Sequence, residues 1–166
     1  LSPFTLKESE EYFAGENIEL SRYDIAQSYM VFGGIPYYLS YFKKGLSLEG
    51  NMDNILFGRN PRLKDEFNRL FNAIFSNPED CKKIIRLLSK KHIGFTREEI
   101  AKETGLPLGG GLTDTLNALA ESDFVQRYNP YGKSGKTTLY KLIDNFCLFW
   151  FNVIIRHQLV SYTVHY

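Results

Sequence analysis

The sequence predicts a mainly α-helical protein: a helical bundle followed by a winged helix-turn-helix domain with a small β-hairpin wing. Three observations carry this. Apolar residues recur at helical spacing between Leu6 and Ile74, in short runs punctuated by glycine and proline. After Asn77-Pro78 the order becomes helix, short helix, turn, helix and then two strand-like segments around a polar tip, which is the order of a winged helix. A chain of 166 residues that is 43% hydrophobic and 15% aromatic can bury the core of one domain or of two small ones.

Thr5 caps the first helix with Glu8 as its capping-box partner, and the helix runs to about Phe13 and stops at Gly15. A second begins at Ser21 or Arg22 and carries Ile25, Tyr29 and Phe32 at helical spacing. Phe32-Gly33-Gly34-Ile35-Pro36-Tyr37-Tyr38-Leu39 then makes a sharp corner. Glycine reaches the left-handed backbone angles that end a helix, and proline suits the first turn of the next. Such a corner leaves bare backbone on which a flat ligand can lie; its plainer reading is a bend between helices. From Pro36 a helix runs to Lys44 and ends at Gly45, and another runs from Ser47 to about Phe57, closed by Gly58. Asn60-Pro61 restarts the chain, and Leu63, Phe67, Leu70, Phe71 and Ile74 form an apolar face. Asn77-Pro78 is the best internal boundary.

Beyond it, Pro78 to about Lys91 is a helix with Ile84, Ile85, Leu87 and Leu88 inward. Phe95-Thr96 caps a short helix, Arg97 to Thr104, that Gly105 ends. Leu106 to Gly111 is a turn, followed by a helix carrying Leu112, Leu116 and Leu119. Phe124 to Tyr128 and Thr137 to Ile143 read as strands joined by the polar tip Asn129 to Lys136. Asp144 begins an apolar aromatic helix, Phe146 to Ile155.

Composition narrows the function classes. A net charge of +1 argues for no particular partner, so any basic patch must be local. Cys81 and Cys147 lie far apart in apolar helical surroundings and read as core thiols of a reduced, cytoplasmic protein. The three histidines show no metal-ligand spacing with them. No run of about 18 apolar residues suggests a membrane span. Leu1-Ser2-Pro3 lacks an initiator Met, and Val160 to Tyr166 alternates like an unfinished strand, so the expectation is a piece cut from a longer chain.

Gly132-Lys133-Ser134-Gly135-Lys136-Thr137 looks like a phosphate-binding loop, but the position five residues before Gly135 is Pro130, and a strand rather than a helix follows. It reads as a hairpin tip. The third helix of the winged domain presents Thr113, Asp114, Thr115, Asn117 and Glu121 and no Lys or Arg, so it is poorly suited to reading bases. Arg127, Lys133 and Lys136 on the wing are the candidate nucleic-acid contacts, and Lys82, Lys83, Arg86, Lys90 and Lys91 on the first helix are further cations for phosphate. The alternative for both sets is the solvated surface of a protein-docking module. Glu8, Glu10 and Glu11, and Glu98 with Glu99, read as solvent-facing or first-turn acids rather than a catalytic pair. Arg59, Arg62 and Arg69 near the last lid helix read as surface arginines, one of which could reach a phosphate in a larger assembly.

In order along the chain, four motifs resemble the archaeal-type predicted ATPases of the AAA+/STAND class, which also occur in bacteria. Leu1-Ser2-Pro3-Phe4-Thr5-Leu6-Lys7-Glu8 is similar to the segment closing that family's ATPase core. Tyr29 to Leu39, with Gly33-Gly34-Ile35-Pro36, resembles the glycine–proline motif of its helical lid. The winged helix follows, and Leu139-Tyr140-Lys141-Leu142-Ile143-Asp144-Asn145-Phe146-Cys147-Leu148-Phe149-Trp150-Phe151 resembles the signature leading into its C-terminal nuclease-like domain. The resemblance implies four parts: 1–15 as the tail of an ATPase core, 16–77 as the lid, 78–143 as the winged helix and 144–166 as the start of the nuclease-like domain. It implies Gly34, Ile35 and Pro36 as nucleotide-facing residues. It also implies ATP or ADP with magnesium as cofactor of the parent protein, whose core is the partner of this chain. The sequence holds no phosphate-binding loop, so this chain alone is expected neither to bind a cofactor nor to hydrolyse ATP.

Overall fold

The computed structural model describes residues 3–63, 65–131 and 138–155. They form two compact units, one ending at Glu66 and one starting at Phe67. The fold is mainly helical, with a small antiparallel sheet in the second unit.

The first unit holds α1 (Leu6–Gly15), α2 (Arg22–Phe32), α3 (Pro36–Leu39) and α4 (Leu48–Met52), the last running into a π-helical turn over Asp53–Phe57. Two capping boxes start the long helices. Thr5 and Glu8 satisfy each other's backbone N–H at the head of α1, as Ser21 and Asp24 do for α2. The core gathers Phe13, Phe32, Tyr38, Leu39, Phe42 and Ile55, with the Phe13 and Phe42 rings 4.9 Å apart. The helix expected from Pro36 to Lys44 is only one turn long. Beyond Leu39 the chain tightens, with Phe42 N–H donating to the Leu39 carbonyl at 3.1 Å. The fully buried Asn51 then captures the backbone: its Oδ1 accepts from Lys43 N–H at 2.7 Å, and its Nδ2 donates to the carbonyls of Lys43, Leu46 and Ser47 at 3.2–3.3 Å. The side chain thus satisfies Lys43 N–H and the carbonyls of Lys43 and Leu46, which no helix serves, while the Ser47 carbonyl also accepts from Asn51 N–H at 3.0 Å within α4.

The second unit contains α5 (Glu66–Ile74) from Phe67 on, α6 (Pro78–Leu88), β1 (Phe95–Thr96), α7 (Arg97–Thr104), α8 (Gly110–Glu121), β2 (Val125–Tyr128), β3 (Leu139–Leu142) and α9 (Asn145–Phe149), which continues as a π-helical turn over Trp150–Ile154. Helix α6, β1, α7, α8 and the β2–β3 pair make the winged helix. The sheet order is β1-β3-β2, antiparallel, with Phe95 opposite Tyr140 and Arg127 opposite Tyr140 on the other side. Strand β1 has no counterpart in the sequence reading, because two residues carry no periodicity. Gly94 seats it: at φ 85° a Cβ would collide with the Tyr140 carbonyl.

Two further expectations change. Phe75, not Ile74, completes the α5 face; Ile74 is 47% exposed and Phe75 is buried. The division between units falls at Glu66–Phe67, eleven residues before Asn77-Pro78, which starts α6 without starting a unit. The cause is aromatic packing: Phe67 lies 5.9 Å from Trp150 in a stacked arrangement, and Phe71 lies 5.1 Å from Phe124. The same contacts pack α9 into this unit.

Candidate nucleotide-facing corner and winged-helix interface

The glycine–proline corner is built as expected in its backbone and differently in its exposure. Gly33 ends α2 in the left-handed region at φ 62°, with its N–H bonded to the Tyr29 carbonyl at 2.8 Å. Gly34 is left-handed too, at φ 70°. Ile35 is the extended N-cap of α3 and Pro36 its first residue. Yet the backbone at Gly34 is not bare. Phe4 N–H donates to the Gly34 carbonyl at 2.8 Å, a Cβ at Gly34 would run into the Phe4 carbonyl, and it would sit 2.8 Å from Tyr29 Cε2. The segment before α1 therefore covers Gly34, which is buried, while Ile35 and Pro36 stay half-buried. Beside them Tyr37 is 46% exposed and accepts a hydrogen bond from Tyr41 at 2.7 Å between hydroxyls. Gly34, Ile35 and Pro36 themselves supply an apolar edge with no charge and no side-chain hydrogen-bonding group.

In the winged helix, α8 buries Leu112, Leu116 and Leu119, as their spacing requires, and leaves Asp114 and Glu121 exposed. Its first turn starts on Gly109 with no side-chain cap. Arg97 braces the turn before it by donating from its guanidinium to the Gly109 carbonyl at 2.8 Å, a link that no sequence spacing signals. Arg127 stands exposed on β2, without an ion-pair partner among the described residues. It lines an open groove of about 460 Å³ together with Asn117, Glu121, Asp123 and Gln126, so two carboxylates share its surroundings. Lys133 and Lys136, and the whole loop-like run 132–137, lie outside the described residues, as does the end of the chain from 156.

Both cysteines are free and buried. Burial pushes Cys81 up to about 11, helped by the nearby Asp80. Burial and the Asp144 carboxylate push Cys147 well above its ordinary value. Asp144 caps α9 by accepting from Cys147 N–H at 2.7 Å, and its burial raises its own pKa. Among the described residues no group of three His, Cys, Asp or Glu side chains is placed to hold a metal, and no helix is long and apolar enough to cross a membrane.

The fold thus defines a winged-helix protein with an additional helical unit. No protein-family model matches the sequence, and no curated protein sequence matches it. Among solved structures, the chain is similar to the zinc-dependent MarR family transcriptional regulator AdcR in its zinc-bound state, at 15% identity and a TM-score of 0.38, over 63% of this chain and 82% of that one. A superposition of that extent carries no weight for function.

Proposed function

We propose that this chain is the lid and winged-helix portion of an ATP-binding switch of the AAA+/STAND type. The observation that carries the reading is the Phe4–Gly34 pairing. The segment resembling the end of an ATPase core is bonded, main chain to main chain, to the corner resembling the lid's nucleotide-facing motif. Movement of that segment is then transmitted to α2 and α3 without slack, because no side chain at Gly34 intervenes. A nucleotide held by the core would bias such a two-position element, and the winged helix would pass the change to a partner. Ile35 and Pro36 offer the base an apolar face; phosphates and magnesium would be held by residues outside this sequence. The test is ATP and ADP binding by the longer parent polypeptide and by its Pro36→Ala form. The reading expects weaker binding in the variant; equal affinity and equal nucleotide response in both would remove the corner from the site.

A second reading, a winged-helix regulator that binds DNA, is favoured by the exposed Arg127, which has no ion-pair partner among the described residues and precedes the segment that carries Lys133 and Lys136. The acidic outer face of α8 weighs against base reading and favours a protein partner instead. Loss of duplex binding on Arg127→Ala supports the DNA reading; absence of binding at low salt removes it.

A further inference from the structure

Charge in the winged helix is segregated in the reverse of the order that base reading requires. Residues 82–92 contain five of the chain's twenty Lys and Arg residues and no Asp or Glu, although the whole chain is only +1; the remainder is therefore −4 (1 − 5). Residues 110–123, comprising α8 and its exit, contain Asp114, Glu121 and Asp123 and no cation. The inner face of α6 is spent on Cys81, Ile84, Ile85 and Leu88. Its outer face carries Lys83 and Arg86, and the turn that follows carries Lys90, Lys91 and His92, all exposed. Lys82 is paired with Glu79 at 2.9 Å, Lys83 is drawn to Asp80 at 3.4 Å and Lys91 to Glu99 at 4.0 Å, whereas Arg86 and Lys90 have no acidic partner among the described residues. Three of the five have an acidic neighbour, and Arg86 and Lys90 are the exposed, uncompensated cations at the end of α6 that ask for a partner.

We infer that the outward face of α6 and its following turn, Lys83, Arg86, Lys90 and Lys91 with His92, docks the phosphate backbone of a nucleic acid without reading its sequence. Lys83 to Lys90 spans ~10 Å along the helix axis, the axial length of about three phosphates of one strand. A protein partner is the poorer fit. A protein interface is built round a dry core of aromatic and aliphatic anchors from which charges are depleted, and this face is mainly Lys and Arg, with Asp80 and Glu99 at its margins and Ile93 as its exposed apolar neighbour. A phosphodiester backbone asks only for cations with room to move. The inference concerns a different surface from the glycine corner and stands or falls apart from the nucleotide reading.

The experiment uses the 166-residue chain, a labelled duplex of mixed sequence and a salt titration. Arg86→Glu with Lys90→Glu touches no buried contact, and circular dichroism checks that the fold is kept. We expect the unaltered chain to bind at low salt. The double variant should lose at least about tenfold in affinity, and its log–log salt slope should fall by about 2. Arg127→Glu should change the slope less than the α6 pair does. Absence of duplex binding at low salt overturns the inference. So does an unchanged slope in the double variant, a larger effect from Arg127→Glu, or binding of poly-glutamate in place of the duplex.

Discussion

The two glycine clusters of this chain look alike on paper and differ in space. Gly33-Gly34 and Gly109-Gly110-Gly111 each precede a helix and each promise open backbone. At Gly34 the promise is withdrawn, because Phe4 lies on it, φ is 70°, and the space for a Cβ is already taken by the Phe4 carbonyl and the Tyr29 ring. At Gly109, Gly110 and Gly111 a Cβ would meet nothing within 4 Å, and none of the three has a positive φ. The first cluster is glycine because the fold demands it. The second is glycine where the fold would accept alanine. What separates them is a residue thirty positions away, not anything local.

The largest effect expected from this difference is at Gly34. Gly34→Ala has to bear a left-handed backbone with a side chain and displace Phe4, at a cost of about 3–4 kcal/mol. Urea denaturation followed by helical signal measures it. A loss under about 1 kcal/mol would mean that the segment before α1 is not seated on the corner, and the coupling proposed for the switch would go with it.

Next is Asn51, the other place where the first unit depends on one residue. Asn51→Ala leaves Lys43 N–H and the carbonyls of Lys43 and Leu46 without this partner, while the Ser47 carbonyl keeps the residue-51 N–H, and should cost about 2–3 kcal/mol. Hydrogen exchange at Lys43 reads it directly: its N–H should lose protection in the variant. Retained protection would show that the backbone there has a second partner.

The winged helix offers a smaller effect with a pH signature. Thr96 caps α7 and its hydroxyl accepts from Glu99 N–H at 3.2 Å, while Glu99 accepts from Thr96 N–H at 2.7 Å. Thr96→Ala should cost about 1 kcal/mol. The same backbone bond, foremost, holds Glu99 below its ordinary 4.5, so its contribution is complete above that value and is lost as pH falls through the folded-state pKa. Asp144 leans the other way: burial raises its pKa above 3.8, so its ionisation costs stability and acidification relieves that cost. The check is therefore a difference between chains. Thermal unfolding of Glu99→Gln and of the unaltered protein should converge as pH is lowered through the acid range. Curves that stay parallel would mean the capping box contributes nothing.

Most of the helical order was legible because it is local. Capping boxes, glycine stops and Pro at the first turn lie within four residues of the ends they define, and Thr5, Ser21, Thr96 and Gly105 all act where the sequence places them. Apart from the one-residue slip between Ile74 and Phe75, the misses are long-range. Helix α3 stops early because of Asn51, the unit boundary moves because Phe67 finds Trp150, and β1 exists because Gly94 lets the chain lie against Tyr140. The candidate site divides in the same way. The corner's turn was readable from Gly33-Gly34-Ile35-Pro36, but its cover was not, because an N-terminal Phe carries no mark of where its backbone will bond.

The smallest effect bears most directly on the opening comparison. Gly111 is exposed at the second position of α8, where a glycine costs more conformational entropy on folding than alanine does. With no atom near enough to meet a new Cβ, Gly111→Ala should stabilise the second unit by about 0.5–1 kcal/mol. Measured beside Gly34→Ala under the same conditions, the two substitutions should move the unfolding midpoint in opposite directions. If Gly111→Ala also destabilises, the first turn of α8 is constrained by something the local geometry does not reveal, and the contrast between a closed and an open glycine cluster fails. If it stabilises, those glycines persist for a reason other than folding, and the surface at the head of α8 is the place to look for it.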